Sequence, residues 1–336
     1  MQPEIIVEVG NSHEGSLGVA KSFVDIAAEA GAKIIKFQMH IPEAEGMPDE
    51  PFRKFFSDQD STRQDYWRRI NFSENNWKIL IEHTKNSGLE IMCTPFSIDA
   101  AQWLFSNKAV ERWKVGSGDA VNFPLIDYLV STNLPLIIST GLISWNEIII
   151  LKDRLVNQGA WGRTTLLHCI SKYPVKFEEV GFQLINEIRA LGCSVGFSDH
   201  SGHLNSALYA LSLDCSIVEV HMVTHKKYFG PDTTSSLLPE QIEFLCQFAK
   251  DLNIMKNNRP TKDMQFKEME QMRKIFRKGV YWSRDLPIGD IVKLNDLIFR
   301  KPVRGIDSVD FEKVVGRKIS KEVFRLTPVN FSDLEE

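Results

Sequence analysis

Long apolar runs are missing from this 336-residue chain, and none approaches the roughly 20 residues that a membrane span requires. The first ten residues, MQPEIIVEVG, pass almost directly into a strand-like run. They lack the basic region, the apolar region and the cleavage site of a secretory signal. We therefore expect a cytoplasmic protein that contacts no membrane.

Cysteine is scarce as well. The five cysteines are odd in number and scattered, and no two of them have CxxC spacing. Four of them lie inside apolar runs. This distribution disfavours a zinc cluster or a disulfide framework and predicts buried thiols.

The chain has no large excess of charge of either sign. Its 40 lysines and arginines nearly balance 44 aspartates and glutamates, for a net charge of -4. This balance disfavours a nucleic-acid or membrane-surface partner. With 43% hydrophobic residues, the composition is that of a globular protein with one large core and room for a small second domain.

A glycine-rich phosphate loop is absent after the first strand-like run, where the turn reads GNSHEGS and lacks GxGxxG spacing. This disfavours an open, doubly wound sheet. Helix-like segments separate eight strand-like runs, which are residues 4–10, 33–40, 89–96, 111–119, 134–141, 164–171, 194–200 and 216–223. Eight such units in about 250 residues predict a parallel, closed (β/α)8 TIM barrel.

The predicted barrel occupies residues 1–255, and its rhythm ends in a polar, charge-rich segment at 256–275 that we interpret as a partly helical linker. Residues 276–336 contain short β-rich pieces punctuated by proline and glycine. About 60 residues suffice only for a marginal domain, so we expect this part to pack on the barrel or on a partner subunit.

Polar residues end nearly every predicted strand. They are Glu8, Lys36, Gln38, Thr94, Lys114, Ser117, Asp119, Ser139, Thr140, Ser171, Ser198, His200, Glu219 and His221. The carboxyl ends of all strands of such a barrel meet at one mouth, where barrel enzymes have their active sites. The sequence therefore predicts a single polar cleft.

Two histidines, His200 and His221, end the two last predicted strands, which are expected to be neighbours about 4.8 Å apart. Two imidazoles at corresponding depths suit one divalent ion, with oxygen ligands from Glu8, water or substrate, and the spacing does not choose among Mn²⁺, Mg²⁺, Co²⁺ and Zn²⁺. The alternative is that each histidine is an ordinary strand-end residue with local hydrogen bonds.

Two lysines, Lys36 and Lys114, lie within otherwise apolar strands. A buried lysine without a partner is costly, so two facing one cavity predict a bound anion such as a phosphate or carboxylate. The alternative is that they pair with Glu8 and Asp119, which are also the candidates for acid–base chemistry.

Several motifs resemble those of the sialic acid synthases, in the same order and at similar spacing. They are EVGNSHEGSLGVAK, IIKFQMH, KVGSGDAVNFPLI, LIISTG, HCISKYP, GFSDHSG and VEVH followed by GPDTTSSL. The tail, from WSRDLPIGD to VVGRKIS, resembles that family's C-terminal domain, which is of the antifreeze-like (SAF) type. The resemblance covers nearly the whole chain.

The resemblance implies a (β/α)8 barrel followed by a small β-clip domain, in a domain-swapped homodimer. It implies condensation of phosphoenolpyruvate with an N-acylated hexose, typically N-acetylmannosamine, to give a nine-carbon 2-keto sugar acid and phosphate. It also implies a divalent metal, with Mn²⁺ expected first and Mg²⁺ or Co²⁺ as alternatives.

The resemblance assigns roles residue by residue. His200 and His221 match metal ligands, and Asp119 matches an acidic position that handles the tetrahedral intermediate. The positions that match the phosphoenolpyruvate site are Lys36, Thr94, Lys114, Ser117, Ser139, Ser171 and Ser198. Those that match residues around the sugar and the metal are Glu8, Gln38, Tyr173 and Asp232.

This chain departs from the family pattern at three points. Val220 replaces a basic residue that many members have before the second histidine, and Ser171 stands where many bacterial members have asparagine. Lys301, preceded by Arg300, stands where the family has an arginine that touches the N-acyl group in the partner's site, and lysine lacks the planar guanidinium fork.

The acceptor sugar therefore stays open among N-acetylmannosamine, its 6-phosphate, and a diacetamido-trideoxy hexose leading to legionaminic or pseudaminic acid. Two other function classes remain as alternatives. One is a metal-dependent aldolase or hydrolase on the same barrel, and the other is a non-catalytic binding or scaffold protein.

Overall fold

Eight parallel strands form a closed barrel in the computed structural model, which describes residues 2–53, 56 and 58–335. The strands are β1 (Glu4–Glu8), β2 (Ile34–Met39), β3 (Glu90–Pro95), β4 (Trp113–Val115), β5 (Leu136–Ser139), β6 (Thr164–Cys169), β7 (Ser194–Asp199) and β8 (Ile217–Met222). Each pairs with the next along the chain, and β1 also pairs with β8. The predicted (β/α)8 barrel is confirmed, and β9 (Ser236–Leu237) adds a short extension beside β8.

Helices connect the strands. They are α1 (Leu17–Glu29), α2 (Pro42–Glu45), α3 (Arg63–Ile70), α4 (Glu74–Asn86), α5 (Ile98–Ser106), α6 (Phe123–Ser131), α7 (Trp145–Asn157), α8 (Gln183–Arg189), α9 (Leu204–Ser212) and α10 (Pro239–Asn257). Ser16 caps α1 by accepting the Val19 backbone N–H. A capping box between Ser144 and Glu147 starts α7.

The barrel has two apolar layers because side chains on each strand alternate between its inside and its outside. Residues such as Val7, Phe37 and Ile138 face outward and pack against the helices. A smaller cluster fills the interior and consists of Ile6, Ile34, Met92, Ile137, Leu167 and Ile217. We call these six residues the interior plug. They lie in the same strands as the polar residues that follow at the strand ends, and their packing supports those residues.

The segment between β2 and α4 is longer than the other connections. The sequence analysis assigned no element to it, but it carries α2 and α3. Tyr66, Trp67 and Ile70 on α3 form a small apolar cluster of their own, with Phe52 and Phe56 packed against it.

The chain divides into two compact units, Met1–Asn257 and Asn258–Glu336. The second unit contains α11 (Lys262–Glu268), α12 (Glu270–Phe276) and an antiparallel pair, β10 (Gly279–Trp282) with β11 (Leu297–Arg300). Its own core includes the fully buried side chains of Trp282 and Leu286.

In the described part of the chain, every helix is too short or too polar to traverse a lipid bilayer.

Candidate active site

A cleft of about 410 Å³ opens at the carboxyl ends of the barrel strands. This volume is in the range of small-molecule sites. The cleft brings together most of the predicted site residues: Glu8, Lys36, Gln38, Thr94, Lys114, Ser117, Ser139, Ser171, Tyr173, Ser198, His200, His221 and Asp232.

Three predicted residues do not line this cleft. Asp119 ends a short 3₁₀ turn, Ser117–Asp119, in which Ser117 faces the cleft while Asp119 accepts a hydrogen bond from Asn122 at 3.0 Å. Burial, followed by the nearby Glu45 carboxylate, raises the pKa of Asp119. Arg300 and Lys301 belong to the second unit and are exposed.

Lys36 stands at the centre of a buried ion-pair network. Its Nζ lies 2.7 Å from Glu8 Oε2 and 3.8 Å from Glu219 Oε2, and it donates to Thr94 Oγ1 at 3.2 Å. Burial by itself lowers the pKa of Lys36, but the two carboxylates outweigh it and the net shift is upward. Lys36 is therefore a fixed cation in the floor of the cleft.

Lys114 is the second buried cation. It donates to Ser139 Oγ at 2.9 Å and lies 3.3 Å from Glu219 Oε1. Burial, aided by repulsion from Lys36, lowers its pKa despite the attraction of Glu219. The carboxylates near Lys114 therefore compensate its charge less fully than those near Lys36 do. A bound anion would stabilise the charged form of Lys114 more than that of Lys36.

Glu219 is a site residue to which the sequence analysis gave no role, although it named the residue as a polar strand end. Its carboxylate lies between the two lysines and accepts from Ser198 Oγ at 2.9 Å. Burial raises its pKa, but Lys114 and Lys36 together reverse this and hold it below its usual range. Its Oε2 has no hydrogen-bond partner within the described residues.

The two predicted histidines lie side by side, with ring centroids 5.6 Å apart. His200 Nδ1 donates to the Ile170 carbonyl at 2.7 Å, and Tyr173 donates its hydroxyl hydrogen to His200 Nε2 at 3.1 Å. Burial, reinforced by His221, lowers the pKa of His200 to about 3. His200 is therefore a neutral imidazole whose Nε2 lone pair accepts the hydroxyl hydrogen of Tyr173.

A third group, Asp232, lies beside the histidines. Although burial raises its pKa, His221 and the guanidinium of Arg53 lower it more strongly. Arg53 reaches Asp232 Oδ1 at 2.6 Å and covers the Tyr173 ring at 3.9 Å from the centroid. Arg53 was not predicted, since a single arginine in an irregular segment carries no local signal.

The outer wall of the cleft is aromatic and apolar. Its members are Phe52, Phe56, Tyr66, Trp67, Phe96 and Leu142. Most of them come from the long segment between β2 and α4. Their high aromatic density was the one signal available in the sequence.

The histidine pair could contribute imidazole nitrogens to a divalent cation. His221 Nδ1 is buried and has no hydrogen-bond partner within the described residues. The Ile170 carbonyl orients His200 from behind, as carbonyl groups commonly do for metal-binding histidines. In residues 2–53, 56 and 58–335, no three His, Cys, Asp or Glu side chains converge on one ion. A metal would therefore need further ligands from water or substrate.

A family model described as the NeuB family matches residues 23–261. The chain belongs to the NeuB family. The resemblance to sialic acid synthases inferred from the motifs is thereby confirmed.

Curated proteins similar to this NeuB-family chain carry synthase names. N,N'-diacetyllegionaminic acid synthase of Campylobacter jejuni is 27% identical over 94% of this chain and 96% of that protein. The protein of the same name from Legionella pneumophila is 28% identical over 98% of this chain and 94% of its own length. The human N-acetylneuraminate-9-phosphate synthase is 27% identical over 94% of this chain and 88% of that protein. These relatives support an enzyme of sugar-acid synthesis.

Two solved structures share the fold. N-acetylneuraminic acid synthetase of Leptospira borgpetersenii, in complex with citrate, superposes with a TM-score of 0.69 at 24% identity, over 81% of this chain and 93% of that chain. Spore coat polysaccharide biosynthesis protein SpsE of Bacillus subtilis superposes with a TM-score of 0.66 at 21% identity, over 99% of this chain and 96% of that chain.

Proposed function

We propose that this NeuB-family enzyme condenses phosphoenolpyruvate with the aldehyde of an N-acylated hexose, giving a nine-carbon 2-keto sugar acid and phosphate. One observation carries the proposal. Two buried lysines and two buried histidines share a single cleft at the barrel mouth. This arrangement supplies an anion-binding half and a carbonyl-binding half side by side.

The anion-binding half would hold phosphoenolpyruvate. Lys36 and Lys114 supply two cations, and the hydroxyls of Thr94, Ser139 and Ser198 already lie within hydrogen-bond distance of these lysines or of Glu219. Hydroxyls and ammonium groups can donate to a phosphate as its charge changes during cleavage. Ser117 and Ser171 also line the cleft.

The carbonyl-binding half contains His200 and His221, which would hold a divalent ion, with Mn²⁺ expected first and Mg²⁺ or Co²⁺ as alternatives. Such an ion supplies Lewis acidity toward a carbonyl oxygen. The protein's own contribution is to keep the His200 imidazole neutral by burial and oriented by the Ile170 carbonyl.

The bond changes balance with one water. The methylene carbon of phosphoenolpyruvate attacks the aldehyde carbon, and positive charge develops at the carbon that bears the phosphate ester. Water adds there, and the tetrahedral species expels phosphate to leave the ketone, while the former aldehyde oxygen takes up one proton and becomes a hydroxyl. In this proposal Glu8 receives the proton of that water, and its burial in the cleft between Gln38 and Lys36 supports the role.

The acceptor we favour within this class is a diacetamido-trideoxy hexose, with N-acetylmannosamine as the other candidate. The aromatic and apolar outer wall suits a methyl group and a second acetamido group. The two arginines in the lining are paired with carboxylates, Arg53 with Asp232 and Arg63 with Glu50, which disfavours a sugar 6-phosphate. Two of the similar proteins are named as diacetyllegionaminic acid synthases.

The test is a panel of acceptors with purified protein, Mn²⁺ and phosphoenolpyruvate. We expect phosphate release and a 2-keto acid product with a trideoxy diacetamido hexose, and less with N-acetylmannosamine. If none of the sugars in the panel gives phosphate release with a 2-keto acid product, the proposal is overturned.

Lys114→Met provides a sharper test. Without this cation, we expect kcat/KM for phosphoenolpyruvate to fall about 100-fold or more, since charged contacts to a transferring phosphate are typically worth several kcal/mol. Lys85→Met is the matched control, because Lys85 is an exposed lysine that donates to the Lys108 carbonyl outside the cleft. An aldolase that uses no phosphoenolpyruvate would keep its activity in both variants.

The proposal includes a domain-swapped homodimer in which Arg300 or Lys301 of the partner chain recognises the N-acyl group, as the family resemblance implies. Light scattering tests the dimer. Arg300→Ala and Lys301→Ala test the contact with the N-acyl group. The variant that loses this contact should have a higher KM for the acceptor sugar and an unchanged KM for phosphoenolpyruvate.

A further inference from the structure

His40 lies at the wall of the cleft between two aromatic rings. Its imidazole stacks on Trp67 with centroids 3.9 Å apart and planes 7° from parallel, and on Phe96 at 4.5 Å and 9°. The side chain is 4% exposed. A ring clamped on both faces can rotate little, so the directions of its two nitrogens are fixed.

Both nitrogens of His40 meet oxygen atoms. Nδ1 lies 2.7 Å from Glu45 Oε2, and Nε2 lies 3.2 Å from Gln38 Oε1. Gln38 in turn donates from Nε2 to Glu8 Oε1 at 2.6 Å. The four side chains thus form one continuous hydrogen-bonded chain from Glu45 to Glu8.

The direction of this chain follows from its Glu8 end. The Glu8 carboxylate only accepts, so the amide nitrogen of Gln38 must face it and the amide oxygen must face His40. His40 Nε2 must then carry a hydrogen. The hydrogen between His40 Nδ1 and Glu45 Oε2 can belong to either group, and the direction of the chain from His40 to Glu8 is the same in both cases.

Glu8 is consequently held from two sides. Lys36 occupies Oε2 at 2.7 Å, and the amide of Gln38 occupies Oε1. An amide can present either its nitrogen or its oxygen to a neighbour, and only a fixed donor behind Gln38 excludes the wrong orientation. With the oxygen of Gln38 turned toward Glu8, two acceptors would face each other and the carboxylate would be displaced.

We propose that His40 is a positioning residue for Glu8 and acts through Gln38, an inference that rests on the proposed function. His40 fixes the orientation of the Gln38 amide and thereby the carboxylate that receives the proton of the attacking water. Its effect falls on the chemical step and not on the binding of phosphoenolpyruvate.

The experiment compares His40→Phe, which preserves the ring stack and removes both hydrogen bonds, with His40→Gln, whose amide nitrogen can replace the Nε2 donor. We expect His40→Phe to lower kcat about 10- to 100-fold with KM for phosphoenolpyruvate within about twofold, as for a misplaced catalytic group. His40→Gln should recover most of the loss. His83→Phe is the control, since His83 pairs with Asp25 at 2.7 Å on the outside of the barrel.

A double-variant cycle completes the test. The combination of His40→Phe with Gln38→Leu should be no slower than Gln38→Leu alone, because both act on Glu8 through the same amide. Should His40→Phe prove unstable by thermal melting, Glu45→Gln tests the same chain, with an expected loss of several-fold in kcat.

The outcomes separate the two proposals. A wild-type protein that is inactive with every acceptor overturns the proposed function, and this inference falls with it. If the wild-type protein is active, three results with the variants overturn the inference alone. They are a folded His40→Phe protein that keeps its kcat, a rise only in its KM for phosphoenolpyruvate, or equal losses of activity in His40→Gln and His40→Phe. Full additivity with Gln38→Leu would also overturn it.

Discussion

At the residue scale, the decisive feature is how buried charges are compensated. The alternative in which Lys36 and Lys114 pair with Glu8 and Asp119 is correct for Lys36, which pairs with Glu8, and wrong for Lys114. Lys114 pairs with Glu219, which lies between both lysines. Because two cations meet two carboxylates, the floor of the cleft is nearly neutral without ligand, and a bound phosphate must compete with or reorganise this network.

His13 is a buried histidine whose protonation opposes folding. Its Nδ1 accepts the Gly15 backbone N–H at 3.1 Å, and its ring packs 4.5 Å from that of Phe72. Burial, followed by repulsion from His40, lowers its pKa to about 3. An unfolded histidine titrates near 6.5, so the unfolded chain binds more protons between these values. Stability must therefore fall as the pH falls through that window.

We predict that His13→Asn flattens this pH dependence. Asparagine keeps an acceptor for the Gly15 N–H and has no titrating group. The wild-type protein should lose up to about 1.4 kcal/mol more per pH unit below pH 6 than the variant does. Urea unfolding at pH 7, 6 and 5 measures this slope.

The control for that experiment is His225→Asn. His225 Nδ1 accepts the Lys227 backbone N–H at 3.0 Å in the same two-residue pattern, but His225 is exposed. Its substitution should leave the slope unchanged. Equal slopes for wild type and His13→Asn would contradict the prediction.

At the scale of elements, the strands set the depth of each functional group, and the turns after them set its direction. Glu8 is in register with Lys36 on one side and with His221 on the other. Ser198 is in register with Glu219. A one-residue slip of either neighbour would turn its polar group out of the cleft, since side chains alternate along a strand.

The turn after β7 depends on Gly202. Its φ is +70°, and a Cβ placed there would lie 2.3 Å from the Thr234 carbonyl oxygen. We predict that Gly202→Ala lowers the free energy of unfolding by about 1–3 kcal/mol and also reduces turnover, because the turns that carry His200 and Asp232 must separate.

Gly162→Ala is the comparison variant. A Cβ added at Gly162 would have no atom within 4 Å, and the φ of this residue is not in the left-handed region. The substitution should change neither unfolding nor turnover measurably. If Gly202→Ala has wild-type stability, the turn accommodates a Cβ beside the Thr234 carbonyl, and the prediction is wrong.

At the scale of the whole molecule, the barrel depends on its interior plug as well as on its outer core. Leu167 is fully buried in that plug, and Gly196 leaves space for it on the neighbouring strand. Lys36 and Glu219 stand in the strands that surround the plug. Its packing therefore supports the floor of the cleft.

We predict that Leu167→Ala lowers the free energy of unfolding by about 2–5 kcal/mol, the usual range for a leucine truncated in a core. Val156→Ala on α7, where the side chain is 48% exposed, should cost less than about 0.5 kcal/mol. Chemical denaturation measures both. Similar losses for the two variants would show that the interior cluster contributes little.

Strand periodicity and strand-end polarity predicted the barrel and most of the cleft lining because both are local properties of the chain. The 3₁₀ turn that leaves Asp119 outside the cleft lining has no such local mark. Residues 46–72 lack a helical or alternating pattern long enough to interpret, so Arg53 and most of the aromatic wall were missed.

The sequence by itself determined most of the polar groups at the barrel mouth, since a polar residue that ends an apolar parallel strand lies at the carboxyl end of the barrel. Only the tertiary structure decided which of them pair. The contacts of Glu219 with two lysines, and the chain from Glu45 through His40 and Gln38 to Glu8, join side chains from separate strands and loops. Such contacts depend on register, side-chain rotamers and burial, which arise only when the barrel closes.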